Sequence, residues 1–595
     1  MPGTRRSTPP PRLGYLRARM SSPAPVDVGD ALDDLINQFS DPMSFFRELI
    51  QNALDAGSNS VDIEFEFEPD ANDPDSGAMI VIVSDSGQGM DREIIDSKLT
   101  RLFSSAKDGD MTKIGKFGIG FVSVFAIAPD AVCVDTARAG EAWRVLFDRE
   151  RKFKRLRLEQ AIEGTTIRII KSSTRAKFEQ FVTRAKQVVR YWCGHANGEV
   201  TVGGELMTTR FGLEAPICVV YEDEFSEIHI GHQRGGETLH GFFNGGLTLV
   251  QADRDHRSAI EQLLGLSFKV SSRILEHTLT RDDVIKDEHF AKVVARLCEL
   301  ARGPLRTKVF TELDVAVRAG EASEAERPET ERLQLLYEAA AWHIADAESL
   351  PRALAQLACA RAPSGRIWTW ADLRKRGDEG LWFASSRTPL SDAVEALDHG
   401  VLLSYGGVDE RSPSPLELSA IGPLLVCLRQ LLPPGGGLSH EPGGVWVGRQ
   451  WFMPIAPGRG EIRQWAALAT MVRRLLDDTD HKLSGVAFGH FGPSGSDLDG
   501  RAVISQREFG EPTRKFDAGE LGKGLFSRRR TLVIDADHPT VRNLLGLSLR
   551  EPELAAYQLV KLFLLVGGSI SADDDSQLAD QAMRYREARC PKPLS

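Results

Sequence analysis

Apolar and polar positions along the first two hundred residues follow two different periods. Between 43 and 56, Phe45, Phe46, Leu49, Ile50, Ala53 and Leu54 recur at helical spacing and make one broad apolar face. Asp41 and Pro42 supply a cap and a first-turn proline, and Gly57 supplies a left-handed exit, so this segment predicts a complete helix. Glu48, Asn52 and Asp55 fall at i, i+4 and i+7 and share one polar stripe. Val61-Asp62-Ile63-Glu64-Phe65-Glu66-Phe67 then alternates strictly, as a strand with one buried face does. Residues 79–83 are continuously apolar and predict a strand buried on both faces, which runs into Asp85-Ser86-Gly87-Gln88-Gly89-Met90. A second glycine segment, Gly115-Lys116-Phe117-Gly118-Ile119-Gly120-Phe121, opens another apolar helix. With further strands at 131–137, 143–147, 153–158 and 164–171, the pattern is helices on one face of a mixed sheet, an α/β two-layer sandwich.

Beyond residue 200, strands at 217–221, 228–230, 239–243 and 247–250 precede a helix near 288–301. A charged stretch at 318–331 separates a region where short helices alternate with short strands, and Pro433-Pro434-Gly435-Gly436-Gly437 marks a break within it. The expected class is α+β. The expected parts are a disordered extension at 1–26, the sandwich at 27–200, an α/β domain at 201–315, and mixed α/β regions at 316–432 and 433–595.

Composition narrows this picture little. A length of 595 residues agrees with about three to five domains. A hydrophobic fraction of 42% and a charged fraction of 26% are ordinary for a soluble globular chain. The formal net charge of −11 gives no electrostatic reason to expect nucleic acid as a partner. The seven cysteines are scattered singly, without metal-ligand spacing, which fits a reducing cytoplasm. The most apolar later stretch, 554–566, is interrupted by Lys561 and is too short to span a bilayer, so no membrane association is expected.

The candidate chemistry lies in the first sandwich. A carboxylate and an amide on one helical stripe suit two tasks: Glu48 can polarise a water for attack on a phosphate, and Asn52 can offer its carbonyl oxygen to Mg²⁺. Asp85 at a strand end can accept a hydrogen bond from an exocyclic amine, while Gly87 and Gly89 let the backbone lie against a flat ring. Gly115, Gly118 and Gly120 ahead of a helix expose backbone amides to an anion.

In this order the pieces resemble the Bergerat superfamily of gyrase, the ninety-kilodalton heat-shock chaperone, histidine kinases and MutL. The likeness is closest to the heat-shock chaperone (HtpG-like) family over residues 30–310. Phe46-Arg47-Glu48-Leu49-Ile50-Gln51-Asn52-Ala53-Leu54-Asp55-Ala56 looks like that family's first box, the segment from Gly115 to Phe121 is similar to its lid hinge, and Gly164-Thr165 matches its final Gly-Thr. Lys116 stands where the chaperone usually has glutamine. The resemblance implies a Mg²⁺-dependent ATPase with Glu48 as general base and Asn52 as the metal ligand. It further implies Asp85, Gly87, Gly89, Met90 and Thr165 around the adenine. Gly115, Phe117, Gly118, Ile119, Gly120 and Phe121 would lie at the phosphates, residues 91–114 would form a lid, and Lys107 would contact phosphate.

The stretch from Phe268 to Asp282 is similar to the part of the chaperone middle domain that presents a catalytic-loop arginine. This makes Arg281 the candidate for reaching the γ-phosphate. ATP, Mg²⁺, protein clients bound by the C-terminal half, and a second copy of the chain are the partners the resemblance implies. Two alternatives stand beside the chaperone-like ATPase. A MutL- or chromatin-type DNA-associated switch is opposed by the net acidity, and a non-hydrolysing nucleotide sensor or scaffold is opposed by the intact Glu48 and Asn52.

Overall fold

The computed structural model describes residues 41–101, 119–160, 162–234, 238–252, 260–278, 283–319, 327–346, 350–376, 381–403, 424–431, 446–478, 483–491, 501–514, 530–566 and 570–590. Lys107, Gly115, Phe117, Gly118 and Arg281, with most of the expected lid and the side chain of Ile119, lie outside them. The chain divides into two compact units, one ending at Ala301 and the other beginning at Arg302.

The first unit is built on an eight-stranded sheet. Its strands are β1 (Ser60–Asp70), β2 (Asp73–Asp85), β3 (Ala131–Arg138), β4 (Glu141–Asp148), β5 (Phe153–Arg157), β6 (Thr165–Thr174), β7 (Glu199–Val202) and β8 (Glu205–Leu206), in the spatial order β5-β4-β3-β6-β2-β1-β7-β8. The sheet therefore continues past residue 200. β1 and β7 are parallel and the other neighbours antiparallel. The Phe45–Asp55 helix and the longer Arg175–Cys193 helix cover one face. Phe46, Leu49, Ile50 and Ala53 of the first and Ala185, Val188 and Val189 of the second share a core with Val61, Ile63, Val81, Val83, Val134 and Ile169.

One expectation needs correcting here. Residues 79–83 are not buried on both sides: Met79, Val81 and Val83 are buried, whereas Ile80 and Ile82 are half-buried on the opposite face. An apolar residue at every position conceals the period of two, and only the location of the covering helices shows which side is closed. On that opposite face, Asp135 is clamped by Arg144 at 2.6 and 2.7 Å and by Arg168 at 2.8 Å.

A five-stranded sheet follows in the same unit: β9 (Ile217–Glu222), β10 (Ser226–His232), β11 (His240–Asn244), β12 (Leu247–Ala252) and β13 (Ser267–Ser272), ordered β12-β11-β13-β10-β9. The Glu288–Leu300 helix comes next, and Phe242 packs at a tilt against its Phe290 with ring centroids 5.3 Å apart.

The second unit is also mixed α/β. One core gathers Leu468, Val472 and Leu475 of the Arg459–Asp477 helix, Leu532 and Ile534 of the Thr531–Asp535 strand, and Leu559, Val560 and Phe563 of the Pro552–Val566 helix. The strand at Gly485–Gly489 runs parallel to Thr531–Asp535, which pairs antiparallel with Val503–Gln506. His538 begins the Pro539–Ser548 helix as its cap, accepting from the Thr540 amide, as the His-Pro pair implies.

Candidate active site

The first helix is entered through a short 3₁₀ turn at Pro42–Ser44, where Asp41 accepts the Met43 amide at 2.9 Å. It is left through Gly57 at φ +79°, with Gly57 N–H donating to Leu54 O and Ser58 N–H to Ala53 O. Between these ends Glu48 is 4% exposed, although it sits on the polar stripe. Gly120 packs against it. A Cβ on Gly120 would lie 2.6 Å from Glu48 Oε2, so the absence of a side chain at 120 admits the carboxylate. Asn52, one turn further along, is exposed. Asp55 is pushed above its ordinary range by burial.

Asp85 ends β2 opposite Thr165 of β6. Its Oδ1 accepts the Gly87 amide at 2.8 Å. Burial raises the Asp85 carboxyl above its usual value, while the amides of Gly87 and Thr165 pull it back. The loop after it is gripped by backbone. Gly89 takes φ +63°, and a Cβ there would stand 2.1 Å from Ala137 O. Gly164 takes φ +65°, and its Cβ would stand 1.9 Å from Asp85 O. Met90 N–H donates to Thr136 Oγ1 at 2.8 Å, and that hydroxyl lies 3.0 Å from Thr165 Oγ1.

The sequence candidates thus separate into groups. Asp85, Gly87, Gly89, Met90 and Thr165 come together as one loop-and-strand assembly, and Glu48 with Gly120 forms a second contact on the first helix. Phe121 is a core residue at 5% exposure, with its ring 5.5 Å from that of Phe147 and 6.2 Å from that of Phe125. Only its backbone is left for a ligand. Sequence reasoning assigned no role to Thr136, Gly164, Ser58 or Arg47. Gly164 carried a signal, since it stood in the quoted Gly-Thr pair. Thr136 carried none, because one threonine in an apolar strand is unremarkable until β6 lies beside it.

Among the described residues no group of three His, Cys, Asp or Glu side chains could hold a metal ion by itself. A phosphate-bound Mg²⁺ needs less. The exposed Asn52 carbonyl oxygen, one turn from a buried carboxylate, fits an ion whose remaining ligands are phosphates and water. No helix among the described residues is long and apolar enough to cross a membrane.

Comparison with known proteins places the similarity in the N-terminal part of the chain. Residues 43–180 match the family described as "Histidine kinase-, DNA gyrase B-, and HSP90-like ATPase". The "Chaperone protein HtpG" of Paramagnetospirillum magneticum is 30% identical over 202 residues, covering 30% of this chain and 32% of that protein. The HtpG of Ehrlichia ruminantium is 29% identical over 232 residues, 34% of this chain and 36% of its own. The HtpG of Methylorubrum populi is 32% identical over 200 residues, 28% and 31% respectively. The matched part spans about a third of the length of these curated relatives. The N-terminal domain of this chain has the Bergerat ATPase fold and is HtpG-like in sequence.

Proposed function

We propose that this protein binds and hydrolyses ATP in a Mg²⁺-dependent manner and uses the cycle as a chaperone-like conformational machine in the cytoplasm. The observation that carries the reading is the placement of Glu48. A carboxylate buried on the first helix, against a glycine that opens the next helix, is positioned to take a proton from a water attacking a terminal phosphate. Asp85 accepts from the exocyclic amine of adenine while the Gly87–Gly89 backbone lies along the ring. Thr165 and Thr136 hold that loop in place. Asn52 holds Mg²⁺, which when bound neutralises phosphate charge. Arg281 and Lys107 supply further positive charge to the phosphates, and residues 91–114 close over the nucleotide.

For the whole chain the proposal follows the chaperone resemblance of the N-terminal part. ATP binding brings two copies together at their N-terminal domains, hydrolysis separates them, and the C-terminal half binds client proteins. The test is steady-state ATPase activity with Mg²⁺, with calorimetric nucleotide binding alongside. Glu48→Gln binds ATP but turns over at least about a hundredfold more slowly, in the range expected for loss of a general base. Asp85→Asn loses binding. A wild-type chain that does not bind ATP, or a Glu48→Gln chain that retains full turnover, refutes the reading.

A further inference from the structure

We infer that Ser58 is the positioning residue that sets the Asp85 loop against the first helix, and through it the preference for a purine bearing an exocyclic amine. The inference rests on the ATP-binding reading above.

Ser58 lies immediately beyond the glycine that ends the first helix and is 4% exposed. Its backbone belongs to the helix exit, since its amide donates to Ala53 O. Its side chain belongs to the other half of the site. Oγ accepts the Ser86 amide at 3.0 Å and the Ser60 amide at 3.3 Å, donates to Ser60 O at 2.6 Å, and lies 3.1 Å from Ser86 Oγ. One residue downstream of Ser86, a Cβ on Gly87 would meet Ala56 Cβ at 3.0 Å, and Gln88 N–H donates to Ala56 O at 2.9 Å. The end of β2 is therefore fastened to the end of the first helix over residues 56–58, and the Ser58 hydroxyl is the side-chain part of that fastening.

Asp85 immediately precedes the bonded Ser86 amide, so the direction in which its carboxylate leaves the strand is set partly by Ser58. A methyl group at 58 leaves the Ser86 amide without its buried acceptor. Loss of one such acceptor corresponds to about a tenfold change in an equilibrium constant. Because the fault lies behind the base-reading carboxylate and away from Glu48, it falls on nucleotide affinity and base selectivity more than on turnover.

The experiment uses the full chain and two probes, ATP and inosine triphosphate, whose base carries a carbonyl in place of the amine. The wild type prefers ATP. Ser58→Ala raises the Kd for ATP about tenfold, raises that for inosine triphosphate less, and so narrows the ratio; Ser58→Thr, which keeps the hydroxyl, restores it. A Ser58→Ala chain that melts lower but keeps the wild-type ratio has lost only general support, and the inference is overturned. The same holds if its Kd for ATP is unchanged. Should Ser58→Ala not fold, Ser58→Cys, with similar volume and a weak acceptor, makes the same comparison. A wild type that binds neither nucleotide overturns the ATP reading itself, a result distinct from any of these.

Discussion

Arg47 precedes Glu48 by one residue and so points about 100° away from it around the helix. It is 2% exposed, its guanidinium carbon sits 4.8 Å from the ring centroid of Trp192, and its Nε has no hydrogen-bond partner among the described residues. Burial draws its pKa down to about 10. That lowering corresponds to roughly 3 kcal/mol against the charged form in the folded state. Stacking on a desolvated indole returns about 1–2 kcal/mol of that. Arg47→Met keeps an unbranched apolar stem beside Trp192, adds a sulfur–aromatic contact and removes the charge. The expected result is a gain of about 1–2 kcal/mol.

The sign with pH follows from the lowered pKa. The penalty on the wild type is full below about pH 10 and fades as pH rises from there towards the ordinary arginine value. The gap between variant and wild type therefore shrinks at the alkaline end. Calorimetric melting of the full chain at pH 7 measures the gain, and repeating it from pH 9 to pH 11.5 measures the narrowing. An Arg47→Met chain less stable than wild type by 1 kcal/mol or more at pH 7 would refute the reasoning, because the guanidinium would then make a net favourable interaction. A variant that is stabilised yet hydrolyses no ATP would show that the buried charge is kept for function at the expense of stability.

Two further tests address the supports of each unit. Gly164→Ala meets both a positive φ of +65° and a carbonyl 1.9 Å from the new Cβ, whereas Gly140→Ala meets φ +81° with open space around it. Urea unfolding should show a loss of about 1 kcal/mol for Gly140→Ala and at least about twice that for Gly164→Ala, with nucleotide affinity lost only in the latter. Equal losses would remove the close approach to Asp85 from the account. In the second unit, His490 lies 2.9 Å from Asp537 and 3.3 Å from Glu461. Burial alone would lower its pKa, but the bonds and charges of the two carboxylates outweigh it and the net shift is upward. Its stabilising contribution is full below pH 6.5 and is lost as pH rises through the raised value. Hydrogen-exchange protection around residues 455–465, taken relative to the intrinsic rate at each pH, should fall from pH 6 to pH 8.5 in the wild type. If protection in His490→Gln falls equally, another group is responsible.

The sequence by itself determined the elements of the N-terminal domain and nominated its candidate site residues. Helical and strand periods are local, and so are the cap at Asp41, the exit at Gly57 and the glycines at 87 and 89; all of these can be read without a neighbour. Tertiary structure decided what lies behind them. Glu48 on a polar stripe reads as solvent-exposed, and it is buried, with Gly120, seventy-two residues away, packed against it. Phe121 read as part of a binding motif, and the rings of Phe125 and Phe147 hold it in the core. Thr136 and Ser58 acquire their roles only when β6 comes alongside one and the end of β2 alongside the other, contacts that span 29 and 28 residues. A single side chain's hydrogen-bond partner is set by sheet order and by where a helix ends, and neither leaves a period in the chain.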